Sequence, residues 1–110
     1  MKPYRPTELE CQTSLVAAAK RGGWHVHAER TSRTHSGGYA TAIQGHAGFP
    51  DLVLAHPTRG ALLVELKRKP NKVEPHQQEW IDTLNAAGIT AAVWWVPDEL
   101  DARCQWLAAS

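Results

Sequence analysis

The sequence predicts a small α/β fold in which helices flank a mixed central sheet. Two observations support this: the hydrophobic period alternates between helical and strand spacing, and caps, glycines or prolines stand where it changes. The element order is αβββαβα. With 110 residues, 43% of them hydrophobic, the chain has material for one modest core. We therefore expect a single domain over residues 1–110.

The first predicted helix begins at a capping box. Thr7 can accept a hydrogen bond from the helix, while Glu10 reaches back to the Thr7 amide. The helix runs to about Arg21, and Gly22-Gly23 ends it. Residues 24–29 then alternate apolar and polar side chains, which predicts the first strand.

The middle of the chain contains a long irregular segment and then a hairpin. Residues 30–48 are rich in Gly, Ser and Thr and lack periodicity, so we predict a long loop there that is functional or mobile. Residues 51–55 and 61–67 are short apolar strands. The turn between them contains Pro57 and Gly60, which predicts an antiparallel pair centred near Thr58.

The last third of the chain predicts a helix, a strand and a helix. A polar basic loop spans 68–74, and Pro75 suits the first turn of a helix that ends before Gly88. Residues 90–96 are β-branched and aromatic, which is typical of a strand. A final helix over 98–109 is expected to be capped by Asp98.

Composition excludes several classes of protein. No stretch has the length of a membrane span, and the N-terminus lacks the apolar core of a signal peptide, so we expect a cytoplasmic protein with no membrane partner. Cys11 and Cys104 are the only cysteines, which excludes a four-cysteine metal site. Residues 20–72 carry nine Lys/Arg and three acids, whereas residues 73–110 carry one Arg and six acids. This asymmetry suggests one side facing a polyanion.

The chemically informative residues are Asp51, Glu65 and Lys67. In a hairpin centred near Thr58, Asp51 falls opposite Glu65, give or take one residue, and Lys67 shares the face of Glu65. Two opposed carboxylates repel each other. A hard divalent cation offsets that repulsion, and magnesium keeps waters that a substrate phosphate can replace. Together, these three residues predict a metal-dependent phosphodiesterase site. In it, Lys67 would orient a metal-bound water or stabilise negative charge that develops on the phosphate.

These motifs and their order resemble the PD-(D/E)XK nuclease core, a restriction-endonuclease-like fold, and within it the VRR-NUC type. The matching residues span about 7–100, the expected core of the domain. They are Thr7-Glu8 with Gln12, the turn Gly48-Phe49-Pro50-Asp51, Glu65-Leu66-Lys67, and Pro75-His76-Gln77 with Trp80 following.

The resemblance implies roles for individual residues. Asp51 and Glu65 would be metal ligands, with the Leu66 backbone carbonyl as a third, and Lys67 would be the catalytic lysine. Gln77 would lie at the rim of the site. Glu8 would approach the metal from the first helix, through a water; it shares a helix face with Gln12 and two core positions.

Two alternatives remain open at this point. Glu10 competes with Glu8 as the acid contributed by the first helix, although the capping box already explains Glu10. A zinc site built from His25 and His27 with His35 or His46 is a second alternative, but exposed strand histidines or phosphate contacts explain these residues as well.

The resemblance also implies an activity and its partners. We expect a Mg²⁺-dependent endodeoxyribonuclease, with Mn²⁺ able to substitute and no small-molecule cofactor, that hydrolyses DNA by in-line attack of an activated water. Small family relatives are associated with branched DNA, especially four-way (Holliday) junctions, in repair and recombination, and with phage or bacterial genomes. A homodimer would supply two symmetric sites. Contacts to the DNA backbone are expected from Arg30, Arg33, Arg68, Lys69 and Lys72.

Two rival functions remain. One is a DNA-binding module that keeps the fold without turnover; it predicts loss of an acid or of the lysine, yet Asp51, Glu65 and Lys67 are all present. The other is a nuclease of the same fold that serves repair, restriction or end-processing within a larger assembly.

Overall fold

A computed structural model describes residues 4–29 and 43–109. Its elements are α1 (Glu8–Arg21), β1 (His25–Ala28), β2 (Leu52–His56), β3 (Gly60–Lys67), α2 (Pro75–Ala86), β4 (Thr90–Trp95) and α3 (Leu100–Ala108). The predicted α/β class and the order αβββαβα are confirmed. The Thr7–Glu10 capping box, the start of α2 at a proline and its end before Gly88 are confirmed as well.

The four strands form one mixed sheet in the order β1-β2-β3-β4. The first three are antiparallel neighbours, and β4 returns parallel to β3 after the crossover through α2. Parallel neighbours need such a crossover because their connection must span the length of the sheet. The hairpin register, with His56 facing Gly60, places its centre at Thr58 as predicted.

Helices cover both faces of this sheet. The main core lies between the sheet and α1 with α3, where alternate residues of β2 and β3 such as Leu54 and Val64 meet Leu15 and Leu107. A smaller cluster on the other face joins Leu63 and Ala91 to Ile81 of α2. The period of two along a strand explains why neighbouring residues belong to different clusters.

The start of α3 differs from the expectation. Asp98 was predicted to cap it, but the helix begins at Leu100, and residues 96–99 form a turn. Glu99 stands at the helix start, and its carboxylate accepts hydrogen bonds from the backbone N–H of Trp95 and from the Arg103 guanidinium. Because this network closes the turn after β4, helical geometry begins later than the sequence suggests.

Among the described residues, no helix is long and apolar enough to cross a membrane.

Candidate active site

Two carboxylates meet where β2 begins and β3 ends. Asp51 immediately precedes β2. Leu52 pairs with Val64 in the antiparallel ladder, so Asp51, one position earlier, lies across from Glu65, one position later. Glu65 is only 3% exposed, although it is a charged residue type. The structure therefore confirms the predicted opposition of the two acids and adds that the β3 acid is buried.

The two oxygens of Glu65 have different surroundings. Oε2 accepts a hydrogen bond of 3.0 Å from Gln77 Nε2 and lies 3.8 Å from Lys67 Nζ. Oε1 is buried and receives no hydrogen bond from an N–H or hydroxyl group among residues 4–29 and 43–109. A buried polar atom without a partner costs free energy, so it points to a ligand that supplies one.

Ionisation of this pair is unfavourable. Burial raises the pKa of Glu65 to about 8; the negative charge of Asp51 contributes to the rise, and Lys67 opposes it. Burial also raises the pKa of Asp51, although the Leu66 N–H donates to its Oδ2 at 2.8 Å. A hydrogen bond between the two carboxyls, which requires that one of them is protonated, raises the pKa of Glu65 and lowers that of Asp51. Two like charges this close in a poorly hydrated place disfavour each other's ionised form. A bound cation would reverse that preference.

Gln77 is held in place by the first turn of α2. Its Oε1 accepts a hydrogen bond of 2.9 Å from the Glu74 N–H, which fixes which end of the amide faces the acids. The amino group is consequently directed at Glu65 Oε2. The family resemblance implied a position for Gln77 at the rim of the site; the structure brings it into direct contact with the buried carboxyl group.

The two candidate acids of α1, Glu8 and Glu10, have different surroundings. Glu10 closes the capping box with Thr7 and also accepts a hydrogen bond from the Tyr4 hydroxyl. Glu8 is half-buried instead; burial raises its pKa, the charge of Asp51 raises it further, and Lys67 lowers it. Glu8 therefore lies within electrostatic reach of the acid pair, whereas Glu10 is engaged at the helix cap.

The donor set fits magnesium better than zinc. Within the described ranges, no three His, Cys, Asp or Glu side chains converge into a ready-made cation site. A protein zinc site requires three or four such ligands, and neither His25-x-His27 nor His46 belongs to such a group; His35 lies outside the described residues. Magnesium needs only one or two carboxylates and completes its shell with water and phosphate. Asp51 and Glu65, with the unpartnered Oε1, meet that requirement.

Glu29 is a neighbour of the site that sequence reasoning missed. Its backbone N–H donates to the Asp51 carbonyl at 3.2 Å, and its own carbonyl accepts a hydrogen bond from Gln12 Nε2 at 3.3 Å. Its negative charge contributes to the raised pKa of Asp51. The only signal in the sequence is its position at the end of a short strand, because the pairing of β1 with β2 spans the long segment between them.

The predicted DNA-contacting residues have different environments. Arg68 is half-buried and donates from Nε to the Pro6 carbonyl at 3.0 Å, so part of its guanidinium anchors the segment before α1. Lys69 is exposed, with Nζ 3.9 Å from Asp98 Oδ2, and Lys72 is exposed. Arg30 and Arg33 lie outside the described residues.

A family model described as the VRR-NUC domain matches residues 24–98. The chain belongs to the VRR-NUC family. Its fold is shared by a solved structure named VRR_NUC domain, with a TM-score of 0.66, 22% identity, and coverage of 89% of this chain and 94% of that chain. A second, named VRR_NUC domain protein, has a TM-score of 0.58 and 23% identity over 93% of this chain and 88% of that chain. No match was found among curated proteins.

Membership in the VRR-NUC family assigns this chain a nuclease-type fold, and a nuclease domain suggests DNA as the substrate class.

Proposed function

We propose that this VRR-NUC chain is a magnesium-dependent endodeoxyribonuclease that hydrolyses phosphodiester bonds. The observation that carries the proposal is Glu65: a carboxylate 3% exposed, opposed to Asp51, with one buried oxygen unpartnered among the described residues. A purely structural acid would be fully hydrogen-bonded or replaced by an apolar residue.

Asp51, Glu65 and the backbone carbonyl of Leu66 would hold Mg²⁺ or Mn²⁺, with Glu8 acting through a water. When bound, the ion supplies a nucleophilic water at neutral pH and neutralises charge on the scissile phosphate. The protein's own contribution is to hold the two carboxyl groups opposite each other on neighbouring strands and to shield Glu65 from bulk solvent.

Lys67 and Gln77 position the acids and the substrate. Lys67 is mostly buried, and its ammonium shares Glu65 Oε2 with the Gln77 amide. This arrangement restrains Glu65 and leaves Lys67 donors available for a phosphate oxygen as negative charge develops on it. Preorganised donors of this kind stabilise a transition state because they need no reorientation during the reaction.

The described cations near the end of β3 suit a DNA backbone. Arg68, Lys69 and Lys72 follow the site directly along the chain, and we propose that they contact phosphates together with Arg30 and Arg33. Such contacts give affinity with little sequence preference, and they weaken as the salt concentration rises because releasing counterions from the DNA then gains less free energy.

Four-way junctions are the substrate we propose, with the protein acting as a homodimer in bacterial or phage recombination and repair. One small domain carries one site, so symmetric cutting of two strands needs two sites related by a two-fold axis. Light scattering coupled to gel filtration tests the dimer; a monomeric mass with and without junction DNA would contradict it.

A cleavage panel tests the activity. Purified protein is incubated with four-way junction, flap, duplex and single-stranded DNA, each with Mg²⁺, Mn²⁺ or EDTA. We expect Mg²⁺- and Mn²⁺-dependent cutting, fastest on the junction, and none in EDTA. Binding without cutting of any substrate would instead support a silent DNA-binding module. Preference for flaps or ends would favour the end-processing alternative.

A further inference from the structure

A cavity of about 330 Å³ lies between the segment that leads into Asp51 and one side of α2. This volume is at the lower end of the range for small-molecule sites, about 300–1,000 Å³. None of its described lining residues belongs to the proposed metal site. They are His46, Ala47, His76, Glu79, Trp80 and Thr83.

The walls of the cavity are held by specific contacts. The Trp80 indole N–H donates to the His46 carbonyl at 3.2 Å, and Phe49 packs edge-on against Trp80 with ring centroids 5.1 Å apart. Gly48 has φ +95°, and a Cβ there would lie 2.6 Å from the His76 ring. Only glycine permits this approach. The cavity is therefore shaped by fixed packing as well as by surface side chains.

Each wall is connected to the acid pair by a short piece of chain. The Gly48 segment continues through buried Pro50 directly to Asp51. On the opposite wall, His76 precedes Gln77, which donates to Glu65. A group seated in the cavity would accordingly be attached to a nucleotide close to the phosphate at the acid pair.

The lining chemistry favours a nucleobase over a phosphate. None of the described lining residues is lysine or arginine, and the Glu79 carboxylate would repel an anion. Trp80 offers an aromatic ring for stacking, and His46, His76 and Thr83 offer hydrogen-bond donors and acceptors to the edges of a base. Unstacked bases are recognised by this combination of one ring and several edge contacts.

We propose that this cavity binds one unstacked nucleobase of the DNA next to the scissile phosphodiester. The inference rests on the proposed nuclease function for its substrate, and it adds a reason for preferring branched DNA. Bases at a branch point are already partly unpaired, so moving one of them into the cavity costs less than extracting it from a duplex.

The first test measures binding without cleavage. The four deoxynucleoside monophosphates are titrated in EDTA to millimolar concentrations, and the Trp80 indole N–H is followed by ¹⁵N NMR. We expect saturable shifts of this signal with at least one nucleotide and none with ribose 5-phosphate, which has no base. An unmoved Trp80 signal with all four nucleotides would overturn the proposal, whatever the cleavage panel shows.

A blocking variant gives the second test. Thr83→Tyr fills the cavity from an exposed helix position, and Ala86→Tyr adds the same ring at an exposed α2 residue outside the lining. On junction DNA we expect Thr83→Tyr to lower kcat/KM by about tenfold, the size of one lost base stack, and Ala86→Tyr to leave it unchanged. Equal kinetics for both variants and wild type would contradict base binding.

An abasic scan links the cavity to one nucleotide. Abasic sites are placed in turn at the three positions on either side of the cut. For the wild-type protein, an abasic site at one position should lower kcat/KM by about tenfold. For Thr83→Tyr, the same abasic site should lower kcat/KM no further, because both changes remove the same contact. Additive losses at every position would show that Thr83→Tyr acts by another route. Absence of metal-dependent cutting would refute the proposed function alone, since the nucleotide titration needs no catalysis.

Discussion

At the turn of the β2–β3 hairpin the partly buried Arg59 guanidinium has hydrogen-bond and stacking partners within the protein, whereas at the open end Glu65 keeps one oxygen without a partner in the described ranges. Arg59 donates to the carbonyls of Trp106, Leu107 and Ala109 at 2.9–3.3 Å. It also stacks on Trp24 and Trp106, 4.9 and 4.3 Å from their ring centroids. A cation at a helix C-terminus is favourable there.

The charge of Arg59 stabilises the fold, whereas the carboxyl group of Glu65 is available to a ligand. Arg59 is satisfied within the protein and ties the hairpin to the end of α3. Glu65 is supported on one oxygen only and has a raised pKa. The charge distribution along the sequence placed Arg59 in the basic part of the chain expected to face a polyanion. In the structure, Arg59 instead binds the end of α3, at the end of the hairpin away from the acid pair.

The largest effect should follow from changing Lys67. We expect Lys67→Ala to reduce cleavage by at least about 10²–10³-fold, because a preorganised donor at the reacting phosphate is lost. Binding of junction DNA in EDTA should change little. Lys20→Ala, an exposed lysine at the far end of α1, is the matched control. Full activity of Lys67→Ala would remove the lysine from the mechanism.

Arg59→Ala should destabilise the fold by about 2–3 kcal/mol, since charge-assisted hydrogen bonds and indole stacking are lost together. Urea unfolding measures this loss. Arg59→Lys keeps the charge but lacks the planar fork, so its stability should be intermediate. Cleavage per folded molecule should stay at the wild-type value. A variant that is stable but inactive would contradict the division between the two ends of the hairpin.

The pH dependence of stability should reveal Glu65 in metal-free protein. Its pKa is near 4.5 when unfolded and about 8 when folded, so ionisation favours the unfolded chain between these values. The stability supplied by the protonated acid is complete below about pH 4.5 and is lost as pH rises toward about 8. Glu65→Gln stays neutral and lacks this loss.

In EDTA near pH 8, we therefore expect Glu65→Gln to melt at least about 5 °C above wild type, with little difference near pH 5. Added Mg²⁺ should raise the Tm of wild type but not of the variant, because the cation takes the place of the proton. Glu79→Gln, at an exposed position, controls for loss of a carboxylate. Parallel melting curves at every pH would show that Glu65 ionises normally in the fold.

The smallest expected effects distinguish Glu8 from Glu10. Glu8→Gln should lower cleavage by about 10–100-fold, as for residues that act on a metal through a water, with little change in Tm. Glu10→Gln should lower the Tm slightly through the weakened helix cap and leave cleavage per folded molecule intact. The reverse pattern would assign the catalytic role to Glu10.

Local signals in the sequence predicted most of the fold. Caps, glycines and prolines marked the helix ends within a residue or two, and strand periodicity identified the hairpin and its register. The start of α3 was wrong because Glu99 takes part in a turn network with Trp95 and Arg103. That network depends on side-chain contacts across the turn, which residue preferences alone do not encode.

The sequence by itself placed Asp51 opposite Glu65 to within one residue, because a short turn and a two-residue period restrict the registers that bury the apolar face of the hairpin. Only the tertiary structure decided that Glu65 is buried with one oxygen unpartnered in the described ranges, that Gln77 touches it, and that a cavity forms between α2 and the segment leading into Asp51. Those features arise where α2 packs across the sheet against a segment distant in sequence. Their geometry depends on long-range packing, which local patterns do not specify.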